Sequence, residues 1–325
     1  SLLAALHSRG MDHIVLCPGS RSAPLALAAG ALANINAIKL ISCIDERSAA
    51  FLALGISTAS GKATAVVTTS GTAVANLLPA AIEADRSTQP LLFITADRPS
   101  RLKNCGSNQT VNQEEFLRSV CRSFEQSPPV GLQLLTTESI EGLAEKCWRN
   151  AHLFPGPVHL NLSIEEPLHA SLSEQKEVIR NFLDEPFLSK KQLKISSKDK
   201  TFCLASKLLP QLDPSRPGVV IAGPWRGNSQ NLNAFQVVLR KWQFISGWPI
   251  FADPLSGLSN QQPGLISNWE LLIGCGLSVP KDGLQVLRLG PLPASRNLEN
   301  WLVSLGKGQL LITEQEPRYL DPLSL

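Results

Sequence analysis

Four times before residue 100, an apolar run of strand length stops at a polar turn. The runs are His13–Cys17, residues 39–44, Ala63–Thr69 and Pro90–Thr95. Helix-like segments alternate with them: one begins near Ser22 to Pro24, and two more cover residues 47–59 and 73–85. A strand that is apolar on both faces needs cover on both faces, and β-α-β-α order supplies it. The pattern therefore predicts a parallel sheet wrapped by helices, an α/β doubly wound domain. A helix over 2–9 precedes the first run; helices over Gln113–Ser119 and Ser139–His152 and a last strand Val158–Leu162 complete this part.

Residues 170–200 break the rhythm, because Ser, Glu, Lys and Gln accumulate and the apolar spacing becomes irregular. That composition predicts a linker with a short helix. A second, Rossmann-like α/β unit follows, with strands at Val219–Ala222, Pro249–Ala252, Gln285–Leu289 and Gln309–Thr313 and helices over 229–245 and 268–274. The expected organisation is thus a domain over 1–169, a linker over 170–200 and a domain over 201–325. Ser1–Leu6 opens inside an amphipathic helix without a starting methionine or a cap, so the chain reads as a fragment.

Parallel sheets place ligands beyond the carboxyl ends of their strands. Four polar clusters occupy those positions: Pro18-Gly19-Ser20-Arg21-Ser22, Asp45-Glu46-Arg47, Thr69-Ser70-Gly71-Thr72 with Asn76, and Asp97-Arg98-Pro99 followed by Asn108-Gln109. Ser20 or Ser22 can cap the helix that follows, which would place Arg21 near free N–H groups, an arrangement suited to carboxylates or phosphates. Glu46 stands where burial of a carboxyl group favours sharing or donating a proton. Taken one at a time, each cluster is also what a capped helix or a surface ion pair looks like. Their recurrence at successive strand ends is the functional signal.

Several chemistries find no support. The G-x-G-x-x-G of a dinucleotide site is absent after both candidate first strands, and no P-loop or G-x-S-x-G elbow occurs. The five histidines show no metal spacing; His13 and His159 fall in apolar strands and read as core residues. A net charge of +3, spread along the chain, does not suggest nucleic acid, and no apolar run is long enough to span a membrane. Seven cysteines without a C-x-x-C pair fit reduced thiols, hence a cytoplasmic protein. Trp242, Trp248, Trp269 and Trp301 read as core or interface.

The motifs P-G-S-R-S-x-P-L (18–25), D-E-R (45–47), T-S-G-T-A-V-A-N-L (69–77) and T-A-D-R-P (95–99) with N-Q (108–109) resemble those of thiamine-diphosphate enzymes of the acetolactate synthase type. They are closest to a branch that decarboxylates 2-oxoglutarate and adds the succinyl unit to isochorismate, a transferase step of menaquinone and phylloquinone biosynthesis. The resemblance implies a pyrimidine-binding domain, thiamine diphosphate with Mg²⁺, and a homodimer or homotetramer. It places the activating glutamate at Glu46, the cofactor contacts at Ser70, Gly71, Thr72 and Asn76, and the substrate contacts at Ser20, Arg21, Arg98, Asn108 and Gln109. A Lys-Arg pair of the family falls on Arg296-Asn297, so Arg296 alone is carried over as a substrate contact. The family's diphosphate and Mg²⁺ mark, G-D-G, does not occur, so the metal ligands are expected in a further domain and the chain alone is expected to be inactive. A carboligase with another anionic acceptor and a non-catalytic regulatory or binding subunit are the alternatives.

Overall fold

The computed structural model describes residues 1–129, 131–184, 212–227, 229–276, 283–306, 308–313 and 321–323. The chain divides into two compact units, Ser1–Asp199 and Lys200–Leu325.

In the first unit, six strands form one wholly parallel sheet: β1 (His13–Leu16), β2 (Lys39–Ser42), β3 (Thr64–Thr68), β4 (Leu91–Asp97), β5 (Ser123–Gln126) and β6 (Pro157–Ser163), in the order β2-β1-β3-β4-β6-β5. Because successive side chains point to opposite faces, each strand feeds two cores. Ile14, Ala65, Val67, Leu92 and Ile94 pack with α1 (Leu2–Ser8), α2 (Ala23–Asn34) and α6 (Thr137–Leu153), around Leu6, Leu32 and Trp148. Val15, Val66, Leu91 and Phe93 face α3 (Glu46–Ser60), α4 (Thr72–Ala75) and α5 (Leu78–Arg86). On that side Ala49, Ala50, Ala53, Ala80, Ala81 and Ala84 let helix backbones lie close to the sheet.

Several expectations need correction. Ser1 caps α1, its Oγ accepting the Ala4 N–H at 3.4 Å. Neither serine caps α2: the Ser22 hydroxyl donates to Gly19 O instead. The helix expected over 73–85 is two helices, since Pro79 cannot sit in a helix interior and instead occupies the first turn of α5. Gln113–Ser119 is not a helix; only a 3-10 turn, Gln113–Glu115, forms, because the Gln113 side chain is drawn into the core. Strand β5 was not legible: its polar sequence S-F-E-Q sits at the sheet edge with β6 as its one neighbour, so it needs no apolar run.

The segment expected as a linker begins with a helix, α7 (Leu172–Asp184), packed against α2; the rest of that segment, residues 185–200, lies outside the described residues. Among the described residues of the second unit, four parallel strands form a sheet, β7 (Gly218–Ala222), β8 (Ile250–Ala252), β9 (Gln285–Leu289) and β10 (Gln309–Ile312), in the order β10-β9-β7-β8. Its helices among the described residues are α8 (Ser229–Ser246), α9 (Trp269–Gly274) and α10 (Arg296–Leu305), the last missed in the sequence although Ser295 caps it. Trp269 and Trp301 pack on Phe251, while Trp242 meets Trp248 edge to face on the other side. A buried ion pair, Arg288–Asp321 at 2.8 Å, joins β9 to residue 321. Among the described residues, no helix is long and apolar enough to cross a membrane.

Candidate active site

Since β2, β1, β3 and β4 are adjacent and parallel, their carboxyl ends share one edge of the first sheet, and the four polar clusters follow those ends. They also interlock. At Gly19 an added Cβ would lie 2.3 Å from Thr69 Cβ, so only glycine lets the first and third turns touch. Asn76 donates to Glu46 Oε2 at 3.3 Å, joining the second cluster to the third. Arg98 Nη1 donates to Ser70 Oγ at 2.6 Å and to Gln109 O at 2.8 Å, joining the third to the fourth.

Glu46 occupies the first turn of α3, directly after Asp45, whose carboxylate accepts the Ser48 N–H at 2.7 Å and caps the helix. That bond to the Ser48 backbone holds Asp45 below the usual carboxylate range. Asp45 thus serves the helix and leaves its neighbour for ligand chemistry. Glu46 is half-buried, and its Oε1 takes no hydrogen bond from a described residue. Beneath it, burial and then the nearby Glu46 carboxylate push the Cys17 thiol up to about 12, so Cys17 is no nucleophile.

Arg21 is buried, a correction to the picture of an arginine at a helix start. Its Nη1 donates to Ile164 O at 3.0 Å and its Nη2 to Glu166 Oε1 at 3.4 Å, both just past β6, while Nε finds no partner. Burial, and after it the charge of Arg21, lowers the pKa of Arg98. Two guanidinium groups at one sheet edge suit an anionic ligand.

The Ser70–Gly71 peptide is held on both sides. Gln109 Nε2 donates to Ser70 O at 3.0 Å, and the Gly71 N–H donates to Gln113 Oε1 at 2.9 Å. Gly71 has φ 83°, and an added Cβ would lie 2.7 Å from Gln109 Cγ. Thr72, Asn76, Ser20, Asn108 and Gln109 are exposed around this turn. Arg296 lies in the second unit, where it pairs with Glu299 at 3.0 Å on the first turn of α10.

A buried polar layer under β4 and β6 was missed in the sequence. Gln113 Nε2 donates to Ala96 O and Asn161 Oδ1, and Asn161 Nδ2 donates to Asp97 Oδ2 at 2.8 Å. Lys103 pairs with Asp97 at 2.7 Å and with Glu114. Burial opposes the Lys103 charge, but these two carboxylates outweigh it and raise its pKa. Thr95 Oγ1 donates to Asn161 Oδ1, so His159 Nε2, 2.8 Å away, is the donor to Thr95. Burial holds His159 down at about 4.

Half of this edge suits a heteroaromatic ring: a carboxylate with one free oxygen, and turns in which glycine keeps backbone surfaces bare. Among the described residues, no group of three or more His, Cys, Asp or Glu could hold a metal ion.

Residues 1–116 match the family model described as the thiamine pyrophosphate enzyme, N-terminal TPP binding domain. Over 323 residues the chain is 57% identical to a 2-succinyl-5-enolpyruvyl-6-hydroxy-3-cyclohexene-1-carboxylate synthase of Prochlorococcus marinus (strain SARG / CCMP1375), covering 99% of this chain and 56% of the relative. The equivalent synthase of P. marinus strain MIT 9313 is 59% identical over 97% of this chain and 55% of its own length. That of Synechococcus sp. (strain WH7803) is 54% identical over 100% of this chain and 55% of its own. The chain spans about half the length of the curated relatives it matches. Site motifs, fold and whole-chain similarity agree: over nearly its entire length the chain is similar to part of the 2-succinyl-5-enolpyruvyl-6-hydroxy-3-cyclohexene-1-carboxylate synthases, and its first third matches the thiamine pyrophosphate enzyme N-terminal domain.

Proposed function

We propose that this chain supplies the pyrimidine-binding part of a thiamine diphosphate- and Mg²⁺-dependent transferase. The reaction is decarboxylation of 2-oxoglutarate and addition of the succinyl unit to isochorismate, in menaquinone or phylloquinone biosynthesis. The observation that carries this reading is Glu46, a half-buried carboxylate steadied by Asn76 at the same sheet edge as Arg21 and Arg98.

When bound, thiamine diphosphate supplies an aminopyrimidine that exchanges a proton and a thiazolium carbon that serves as nucleophile and electron sink. The chain's own residues act around it. Glu46 Oε1 holds or releases the proton at a ring nitrogen, while Asn76 fixes the other oxygen. Ser70, Gly71 and Thr72, with the bare backbone that Gly71 allows, would hold the pyrimidine ring. Ser20, Arg21, Arg98, Asn108 and Gln109 bind the carboxylates of substrate and acceptor; the resemblance also assigns Arg296 a substrate contact. The diphosphate and Mg²⁺ are assigned to residues outside those described. The assembly is a homodimer or homotetramer in the cytoplasm; exposed Ile44, Phe51, Leu52 and Ile82 on and beside α3 and α5 support an oligomer.

The test separates proton transfer from binding in the intact protein. Glu46→Gln keeps size and removes the exchangeable proton, so turnover should fall about 10²–10⁴-fold while acceptor KM changes little. Arg21→Ala should do the reverse, weakening acceptor binding by roughly 2–5 kcal/mol. The assays are cofactor C2 proton exchange and acceptor KM. Wild-type exchange in Glu46→Gln, with exchange abolished in Arg21→Ala, would refute the roles.

A further inference from the structure

Ser70, Gly71 and Arg98 belong to a closed ring of hydrogen bonds that passes through the buried layer. The Gly71 N–H donates to Gln113 Oε1, and Gln113 Nε2 donates to Asn161 Oδ1 at 2.8 Å. Asn161 Nδ2 donates to Asp97 Oδ2 at 2.8 Å, and Asp97 Oδ1 accepts the Arg98 N–H at 2.7 Å. Arg98 Nη1 then returns to Ser70 Oγ at 2.6 Å, next to where the ring began. Gln113, Asn161 and Asp97 are fully buried, so no water competes for these bonds.

We infer that Gln113 is a positioning residue: it sets the distance between Arg98 and the Ser70–Gly71 turn, and with it the register of substrate carboxylate against cofactor ring. The inference rests on the functional reading above. Its geometry is specific to a neutral amide. Oε1 must accept from Gly71 while Nε2 donates twice, to Ala96 O at 3.0 Å and to Asn161 Oδ1. A carboxylate can do the first and not the second; a protonated carboxyl group can do both, with one donor instead of two. Gln113 touches neither ligand, and acts through Arg98 and through the orientation of one peptide.

Three measurements on the intact protein test it. Gln113→Glu should raise acceptor KM about ten- to hundred-fold near pH 8, the scale of a misplaced binding group, and recover on acidification where the wild type does not. In an Arg98→Ala background the same substitution should add less than about three-fold, because the group it positions is gone. Amide exchange of segment 69–72 should quicken in Gln113→Leu while β3 and β4 stay protected; if that variant does not fold, Gln113→Ser, too short to reach Gly71, replaces it. Additive effects of Gln113→Glu and Arg98→Ala, or unchanged exchange at 69–72, would overturn the inference. An inactive wild-type protein would instead defeat the functional reading, and exchange alone would then decide the role of Gln113.

Discussion

Acidification should weaken the first unit through one residue, His159. The ring is fully buried between β4 and β5, edge-on to Phe124 at 5.2 Å. Nε2–H donates to Thr95, and Nδ1 has no partner, so a second proton would be both desolvated and unpaired. Burial lowers the folded-state pKa from 6.5 to about 4. Above pH 6.5 neither state binds the extra proton; between 6.5 and about 4 the unfolded chain binds it and the folded chain does not. Stability is therefore lost as pH falls through that window and levels off below it. At about 1.4 kcal/mol per pH unit, the loss sums to ~3 kcal/mol, a large share of a typical domain's stability.

The assay compares urea unfolding of the wild type and His159→Gln at steps from pH 7.5 to 3.5. Glutamine keeps a donor for Thr95 and does not titrate, so taking the difference cancels every other group. At pH 7.5 the variant should be the less stable protein, by about 1–2 kcal/mol for imperfect packing. The gap should close and then reverse on acidification, swinging by ~3 kcal/mol in total. Two curves that stay parallel within about 0.5 kcal/mol would refute the argument, since His159 would then titrate alike in both states.

Two further outcomes are expected at the site itself. Gly71→Ala places a Cβ at φ 83° and 2.7 Å from Gln109 Cγ, so Gln109 must move; thermal melting should show a loss of about 1–2 kcal/mol, and acceptor KM should rise. Glu166→Gln removes an exposed partner of Arg21 that stands 3.4 Å away; a ligand carboxylate taking its place should bind up to about five-fold more tightly, and a rise in acceptor KM would show Glu166 to be a ligand contact instead.

The strand ends were legible because their signals are local. An apolar run, a Pro-Gly or Ser-Gly turn and a small-residue helix each report on a few adjacent residues, and a parallel sheet then brings their ends together without further information. What could not be read is contact across long separations. Arg21 meets Ile164 and Glu166 after more than a hundred intervening residues, which turns an expected helix-end arginine into a buried one. Gln113 sits in Q-E-E-F, a sequence that reads as an exposed helix start; nothing local marks its amide as the link between Gly71 and Asn161. His159 reads in the sequence as a satisfied core histidine, and only one of its nitrogens is satisfied.

The charges at this edge explain why the site can wait for an anion without collapsing on one of its own carboxylates. Asp97 and Glu114 are the obvious competitors for Arg21 and Arg98. Both carboxylates instead pair with Lys103, and Asp97 is further engaged by Asn161 and by the Arg98 N–H. Buried in this way, Asp97 opposes from below the lowering of the Arg98 pKa by burial and Arg21, without bonding to the guanidinium. Arg98 commits one nitrogen, Nη1, to Ser70 and Gln109, both neutral partners. Glu165, whose charge Arg21 feels, is bonded to Arg101 instead. Among the described residues Glu166 is the one carboxylate hydrogen-bonded to Arg21, and it is mostly exposed and at the long end of hydrogen-bond range. A weak, solvated pair of that kind contributes little and is readily exchanged. Asp97 and Glu114 are thus held beneath the sheet edge by Lys103, Glu165 is held by Arg101, and Glu166 is replaceable, which leaves the exposed side of the arginine pair matched to a ligand carboxylate.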